Sequence, residues 1–256
     1  MVQACAFVVL IVLAGWGITV GAGAMPYRWQ WHKIPQFVVR VIDGELYAGP
    51  LIRGLGVSLR ISALAFGVTI FAGLMAALLL LSRSIVGRGL ARIYVEVIRN
   101  TPLLVQLYLF YFVLAPILGI GREATGVLAL GLFEGAFAAE IIRAGILAVP
   151  RAQTEAGQSL GLTRGYIYRF IILPQALRIV LPPLTSLSIS LVKHSAIVSA
   201  IAIFDLTNEG RNIIADTFMT FEVWLTVALI YLVVTTTMSW LASWLEHRLR
   251  TDQPRS

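Results

Sequence analysis

EAGQSLGLTRGYIYRFIILP occupies residues 155–174, between two long apolar segments of the chain. The stretch is too polar to lie in lipid and too regular to be a slack loop. Within residues 151–161 small apolar side chains recur every four residues, which predicts a short amphipathic helix. These residues are Ala152, Ala156 and Leu160.

A second short helix is predicted to follow directly. Gly161 suits the left-handed conformation that ends a helix, and Thr163 suits the cap of the next one. Pro174 is expected to interrupt that second helix before the following apolar segment. Residues 150–177 therefore form either a rigid two-helix element that projects from the membrane or an amphipathic hairpin that lies flat in the headgroups.

The composition indicates an integral membrane protein. Of the 256 residues, 58% are hydrophobic and 13% are charged, and the mean hydropathy is +0.84, whereas soluble domains carry roughly 25% charged residues. A helix of about 20 residues crosses the hydrocarbon core. Six apolar segments are long enough, at 4–24, 57–82, 93–118, 126–148, 178–203 and 221–243.

The first apolar segment has two interpretations. Residues 2–24 carry no charge, and a retained span is favoured over a cleaved signal peptide because no basic region precedes the run, which is also too long. The single cysteine, Cys5, excludes an intrachain disulfide and a cysteine-based metal site.

The charge of +7, from 20 Lys and Arg against 13 Asp and Glu, is attributed to arginine-rich cytoplasmic loops and not to nucleic-acid binding. With both termini cytoplasmic, the inner loops hold ten basic residues and the outer loops six. Residues 25–50 then form an external loop, in which Tyr27, Trp29 and Trp31 suit the membrane interface.

Residues 155–174 resemble the EAA signature of ABC importer permease subunits, EAA-x3-G-x9-I-x-LP. The chain departs from it only at Gly157, which replaces the second alanine. EVIRNTPLLVQLYLFYF (96–112) and SLVKHSAIVSAIAIFDLT (190–207) are similar to elements of the polar amino-acid permeases, although His194 stands where an acidic or amide residue is expected. The resemblance covers roughly residues 50–250.

The resemblance implies an all-α polytopic membrane protein of about six transmembrane helices. These comprise the five-helix core of type I ABC importers, one added N-terminal helix and a cytoplasmic two-helix coupling element. It also implies an N-terminal helix and external loop at 1–54 and a permease domain at 55–250 that contains the coupling loop 150–177. The coupling residues would be Glu155, Ala156, Gly157, Gly161, Arg164, Ile171, Leu173 and Pro174.

The resemblance also implies partners in the bacterial cytoplasmic membrane. Cytoplasmic ATPase subunits would receive the coupling helices, a second permease subunit, identical or paralogous, would face this one, and an external or periplasmic binding protein would deliver the substrate. The sequence has no G-x-x-x-x-G-K-[ST] motif and hence no Walker A loop. We therefore expect no enzymatic activity and no cofactor in this chain, with ATP and Mg²⁺ bound by the partner ATPases.

Ionisable side chains inside apolar spans cost about 2.5–3.5 kcal/mol each on insertion, so each needs a partner or a role. Glu134 could bind the ammonium of an amino acid, and Lys193 or His194 its carboxylate. Equally open is a structural bridge between Glu134 and Lys193. Gln106 is a weaker candidate for lining the substrate path.

Other charges are predicted to be structural. Glu140–Arg143 and Glu96–Arg99 are i,i+3 pairs that can neutralise each other. The small residues Gly131, Gly135 and Ala139 form a ridge that would let a second helix approach closely.

The favoured function is thus a permease subunit of an ATP-driven ABC importer for polar amino acids. The main alternative is a proton-coupled secondary amino-acid transporter, with Glu134, Glu140 and His194 as a proton relay. A membrane enzyme has little support, because no cluster of side chains at metal or nucleophile spacing is present. A scaffold without transport activity is the remaining alternative.

Overall fold

A computed structural model describes residues 27–250 and, ahead of them, positions 7, 9, 12, 13, 16, 19–21 and 23. For residues 42 and 245–250 it describes the backbone alone. The predicted first span at 4–24 and its signal-peptide alternative fall largely outside the described residues, and Cys5 falls wholly outside them.

Helices make up most of the described chain. In order, the elements are a 3₁₀ turn (Trp31–Lys33), α1 (Pro35–Val38), β1 (Val39–Ile42), β2 (Glu45–Ala48), α2 (Pro50–Leu81), α3 (Ile85–Arg99), α4 (Leu103–Tyr108), a π-helical segment (Leu109–Leu114), α5 (Ala115–Leu118), α6 (Arg122–Leu147), α7 (Arg151–Ser159), α8 (Arg164–Ile167), a second π-helical segment (Tyr168–Ile172), α9 (Leu173–His194), a 3₁₀ segment (Ser195–Ile201), α10 (Leu206–Thr217) and α11 (Thr220–Arg250).

The predicted helical membrane fold is confirmed. Within the described part of the chain, four helical runs are long and apolar enough to cross a bilayer. They are Pro50–Leu81, Arg122–Leu147, Arg164–Ile201 and Thr220–Trp244. A fifth crossing is formed if α3 and the helix Leu103–Leu118, between which the chain bends by 111°, count as one span. The described residues thus account for four or five of the six predicted spans.

The course of the chain supports that fifth crossing. Arg60 near the start of α2 bonds Glu123 near the start of α6 at 2.7 Å, and farther along Gly73 packs against Ala138. α2 and α6 therefore run parallel, and residues 82–121 have to return from one end of the bundle to the other.

The expectation of one uninterrupted helix over residues 93–118 is wrong. α3 ends at Arg99, α4 begins at Leu103, and the chain bends by 111° between α3 and the helix Leu103–Leu118. The cause is Pro102, which disfavours the helical conformation for the residue before it and has no N–H to donate.

The break expected at Pro174 is absent. The helical run Arg164–Ile201 continues past Pro174, and it also contains Pro182 and Pro183. The π-helical segment Tyr168–Ile172 ends two residues before Pro174, as Leu109–Leu114 ends two residues before Pro116. The wider π turn makes room for the proline ring and leaves a kink in place of a helix end.

The predicted small-residue ridge lies where α2 meets α6. A Cβ atom on Gly131 would lie 2.5 Å from the Cβ of Val68, and one on Gly135 would lie 3.0 Å from the Cβ of Ala72. Ala139 is fully buried. The backbones approach closely because these residues are small. The adjacent Glu134 is buried as well.

Residues 27–49, here called the cap, fold over the end of the bundle where α2 begins. Strands β1 and β2 pair antiparallel around Asp43 and Gly44, which both have positive φ, 52° and 82°, as a type I′ turn requires. Below the hairpin lies an apolar cluster formed by Ile34, Phe37, Leu51, Leu206, Ile213, Met219, Val223 and Val227.

A buried carboxylate ties the cap to α11. Glu222 has no exposed surface, and it accepts hydrogen bonds from the Tyr27 hydroxyl and, at 2.6 Å, from the Gln30 N–H. Trp29 stacks on Trp31 with centroids 6.2 Å apart and also contacts Phe221. The interfacial role of these aromatic residues stays a prediction.

Candidate functional site

The Glu134 cleft, of about 360 Å³, lies between α6 and α9. One wall consists of Phe133, Glu134, Phe137 and Ile141, and the other of Ser186, Leu187, Ser190 and His194. Residues three, four or seven apart share one face of a helix, so both walls are continuous stripes. The cleft combines an apolar lining with few polar groups, as small-molecule sites do.

Glu134 and His194 form the polar centre of this cleft. Glu134 is 4% exposed, and its Oε1 lies 2.5 Å from His194 Nδ1. The ring of Phe133 meets the imidazole edge to face at 6.1 Å. The His194 side chain is 40% exposed and can move away. Another cation can then take its place as the partner of the buried Glu134 carboxylate.

The predicted bridge between Glu134 and Lys193 is wrong. Lys193 is exposed and makes no ion pair with the described residues. Successive helical residues point about 100° apart, so His194 faces the cleft and Lys193 faces away from its wall.

Gln106 lies at the break between α3 and α4 and does not line the cleft. Its Nε2 donates to Ile98 O at 2.8 Å and to Thr101 O and Oγ1 at 3.1 and 2.7 Å. These acceptors surround the end of α3, where backbone carbonyls lack helical partners. Its Oε1 is buried without a partner among the described residues. In this structure Gln106 stabilises the bend.

Of the two predicted local ion pairs, one is present. Arg143 bonds Glu140 at 2.8 Å, as expected. Glu96 instead accepts a hydrogen bond from Asn100 Nδ2 at 3.1 Å, and the Arg99 guanidinium lies 5.3 Å from the centre of the Phe137 ring. The bend at Pro102 brings Arg99 against α6, and the Glu96–Arg99 prediction is therefore wrong.

Residues 151–172, here called the elbow, form the predicted pair of short helices. Gly161 has φ of +74°, Gly161 N donates to Gln158 O at 2.9 Å, and Leu162 N donates to Gly157 O at 3.1 Å. This is the Schellman pattern. Thr163 Oγ1 accepts from Tyr166 N at 3.4 Å and caps α8, as predicted.

The departure from the EAA pattern at Gly157 has a packing reason. Gly157 is the only buried residue of α7, and a Cβ atom there would lie 2.9 Å from Ile167 Cγ1. Absence of the methyl group allows α7 to pack closely on Ile167, which is 1% exposed.

Most other residues of the elbow are exposed. Glu155 is exposed and makes no side-chain hydrogen bond or ion pair with the described residues. Ala156 and Arg164 in the elbow, and Leu173 and Pro174 directly after it, are exposed as well. Leu160 is 77% exposed and Phe170 55%, whereas Ile171 packs inside against Val149 and Ile167. Exposed apolar surface of this kind is typical of a contact with another protein or with the membrane.

The profile of the family described as binding-protein-dependent transport system inner membrane component matches residues 69–251. This span includes both the Glu134 cleft and the elbow. The chain belongs to this family. The family match confirms the resemblance drawn from the EAA stretch, whereas the cap lies outside the matched residues.

Individual relatives agree. The glutamine transport system permease protein GlnP of Escherichia coli (strain K12) is 35% identical over 203 residues, 78% of this chain and 93% of GlnP. The probable glutamine ABC transporter permease protein GlnM of Bacillus subtilis (strain 168) is 43% identical over 158 residues, 61% of this chain and 73% of GlnM. The crystal structure of an amino acid ABC transporter with histidines contains a chain that is 42% identical, with a TM-score of 0.73 over 78% of this chain and 94% of that one.

This permease-family member is a multi-pass inner-membrane subunit of an ABC importer. The comparisons do not favour the alternative of a proton-coupled secondary transporter. Among the described residues no group of three or more His, Cys, Asp or Glu side chains is placed to hold a metal ion.

Of the cleft residues, Glu134 and His194 are among the predicted site residues, whereas Ser186 and Ser190 are not. These two serines precede His194 at intervals of four in an apolar segment, a polar stripe that predicts a shared face. Phe133 and Phe137 carried no such signal, because aromatic residues are equally common in lipid-facing positions.

Proposed function

We propose that the chain carries polar amino acids through the Glu134 cleft of an ATP-driven importer. The observation that carries this proposal is the buried Glu134 carboxylate, held 2.5 Å from His194 in a cleft of about 360 Å³. Intramembrane carboxylates are rare and mark substrate paths. The relatives named as glutamine and amino-acid transporters support the substrate class.

Substrate recognition would proceed by exchange of partners. The α-ammonium displaces His194 from Glu134, and the freed imidazole, with the hydroxyls of Ser186 and Ser190, meets the carboxylate. Phe133 and Phe137 exclude water, which strengthens charge interactions inside the cleft. Lys193 faces away from this wall and is available to a facing subunit.

The elbow would receive force from the ATPase. The surface of Leu160, Tyr166 and Phe170 is exposed and suits a groove on a partner, while Glu155 is free for a charge-assisted contact with an arginine there. The Schellman turn and the Thr163 cap make the two helices one stiff unit. Closure of the ATPases then rocks the permease subunits against each other.

The assembly follows from this division of labour. The ATPase subunits bind ATP and Mg²⁺, and this chain has no ATPase site or cofactor of its own. A second permease subunit completes the substrate path, and an external binding protein delivers the amino acid. The elbow and both termini lie on the cytoplasmic side and the cap outside. Residues 1–54 are the added N-terminal part and residues 55–250 the permease domain.

Uptake of L-[¹⁴C]glutamine by proteoliposomes containing the complete importer tests the proposal. Loss of the charge in Glu134→Gln should lower uptake about 10- to 100-fold, the size expected for one charge-assisted hydrogen bond. Glu123→Gln is the matched control, because Glu123 lies on the same helix in an exposed ion pair with Arg60. Equal uptake by both variants would contradict the assignment. Uptake by this chain alone, driven by a proton gradient, would restore the secondary-transporter alternative.

A further inference from the structure

A second cleft, of about 250 Å³, lies between the last turns of α2 and α6 and the face of α3. Here called the Arg92 cleft, it is lined by Leu80, Arg92, Val95, Glu96, Glu140 and Arg143. Glu140 follows Glu134 by six residues, so the second cleft lies roughly 9 Å farther toward the elbow. Four of its six lining residues are ionisable.

The pattern of α3 shows that this face is built to be polar. An apolar stripe of Val86, Leu90, Ile93 and Val97 is exposed, and a second stripe with Ala91 and Val95 is buried. A third stripe consists of Arg88, Arg92, Glu96 and Arg99. The helix thus has one buried face, one exposed apolar face and one exposed charged face, part of which lines the Arg92 cleft.

The charges of the Arg92 cleft are only partly satisfied. Glu140 and Arg143 bond each other at 2.8 Å. Arg92 makes no hydrogen bond or ion pair with the described residues, and Glu96 accepts only from Asn100, at 3.1 Å. Arg92 and Glu96 are both exposed. An accessible guanidinium and an accessible carboxylate therefore lie one helical turn apart above the apolar side chains of Leu80 and Val95.

Arg99 stands between the two clefts. Its guanidinium lies 5.3 Å from the centre of the Phe137 ring, and Phe137 is part of the wall of the Glu134 cleft. Glu96, on the preceding turn of α3, lines the Arg92 cleft. Since a cation over an aromatic ring at an exposed site is weakly held, Arg99 can swing aside and offer its charge to a passing carboxylate.

We infer that the Arg92 cleft is a second binding site for the transported amino acid, occupied after it leaves the Glu134 cleft past Arg99. The inference rests on the proposed function. A phosphate or an anionic headgroup would be repelled by Glu96 and Glu140, and a metal cation by Arg92 and Arg143. A zwitterion matches both signs, with its carboxylate on Arg92 and its ammonium on Glu96.

Inhibition of uptake from the elbow side of the membrane tests the inference. Proteoliposomes of the complete importer are preloaded with ATP and increasing L-glutamine, and uptake of L-[¹⁴C]glutamine is compared with each variant's own uptake without internal glutamine. In the parent we expect saturable inhibition. Arg92→Gln and Glu96→Gln should each raise the half-inhibiting internal concentration at least tenfold. Arg88→Gln, on the same stripe but outside the cleft, should leave it unchanged.

A chemical readout separates this site from the Glu134 cleft. In a Cys5→Ser background, internal L-glutamine should slow alkylation of Leu80→Cys, and inorganic phosphate at the same concentration should not. Protection by phosphate as strong as by glutamine would identify an anion site and overturn the inference. Normal uptake with neither inhibition nor protection would overturn it while leaving the proposed function intact, whereas no uptake by the parent would remove both.

Discussion

The cap and the elbow lie at opposite ends of the bundle and are held in opposite ways. The cap rests on an apolar cluster and on Glu222, which is wholly buried and bonds Tyr27 and Gln30. In the elbow only Gly157, Ile167 and Ile172 are buried, and the turn is closed by hydrogen bonds between neighbouring residues of the chain.

The difference indicates that the cap and the elbow have different roles. A segment fixed by burial contributes to stability, and its replacement should lower the free energy of unfolding. A segment fixed by local hydrogen bonds, with its apolar side chains exposed, contributes little to stability and keeps a surface free for a partner. Substitutions at the two ends should therefore separate stability from transport.

The largest effect is expected in the cap. Glu222→Leu leaves the Tyr27 hydroxyl and the Gln30 N–H without an acceptor, so the free energy of unfolding should fall by about 2–3 kcal/mol. Thermal unfolding of the purified complex in detergent measures this loss. Glu45→Gln, in the exposed hairpin, is the control, and equal melting of both variants would show that the buried carboxylate does not hold the cap.

In the elbow the loss should appear in coupling and not in melting. Glu155→Lys reverses the exposed charge, and Gly161→Val forces a branched side chain to a φ of +74°, at about 1–2 kcal/mol. Stimulation of the ATPase by the loaded binding protein should fall about tenfold in both variants. The melting temperature should stay unchanged in Glu155→Lys and fall less in Gly161→Val than in Glu222→Leu. Gly165→Ala, where an added Cβ meets open space, serves as control. Normal stimulation in both variants would argue against coupling through the elbow.

The carboxyl of Asp205, at the end of the bundle where the cap lies, should make the free energy of unfolding depend on pH. Asp205 is the N-terminal capping residue of α10, and its carboxylate accepts hydrogen bonds from Asn208 N at 2.9 Å and Thr207 N at 3.2 Å. Burial raises the pKa of its carboxyl from 3.8 to about 6, although the backbone bonds to Asn208 and Thr207 and the charge of Arg211 oppose the shift. The carboxyl is protonated in both states below about pH 4 and ionised in both above about pH 6, so the stability it confers declines as pH rises between these values.

Asp205→Asn removes this penalty. At pH 7.5 the free energy of unfolding of the variant should exceed that of the parent by about 1–2 kcal/mol, because asparagine also caps helices and is never ionised. The gain should shrink as the pH is lowered toward 4, which melting curves between pH 4 and 8 would record. A gain that does not vary with pH would point to a cause other than ionisation.

The smallest effect is expected at Gly157. Alanine favours a helix by about 0.5–1 kcal/mol, but its methyl would lie 2.9 Å from Ile167 Cγ1. Gly157→Ala should therefore leave the melting temperature nearly unchanged. The double variant with Ile167→Ala should have a free energy of unfolding about 1 kcal/mol higher than the sum of the two single effects predicts. Strict additivity in this cycle would mean that Gly157 is not a packing partner of Ile167.

Most of the successful predictions from sequence rest on a local signal. The Gly161 turn, the Thr163 cap and the Glu140–Arg143 pair each involve residues within five positions of one another, so spacing identifies them. The equally local Glu96–Arg99 pair does not form, because Arg99 lies on Phe137 of α6. Prediction from sequence also failed at the bend before Leu103 and at Pro174, because a proline ends, kinks or bends a helix according to what its neighbours can accommodate. The hairpin has a local signal too, because Asp-Gly at 43–44 between two β-prone stretches is typical of a type I′ turn.

Neighbouring residues alone identify the membrane class, most of the spans, the two-helix elbow and the family, since hydropathy, periodicity and fixed motif spacing are local properties. That Glu134 bonds His194 and not Lys193, that Gln106 braces the bend, and that Arg99 lies on Phe137 emerges only when the chain is folded. Those choices depend on which faces of separate helices meet, and a facing angle is set by packing between segments far apart in the chain.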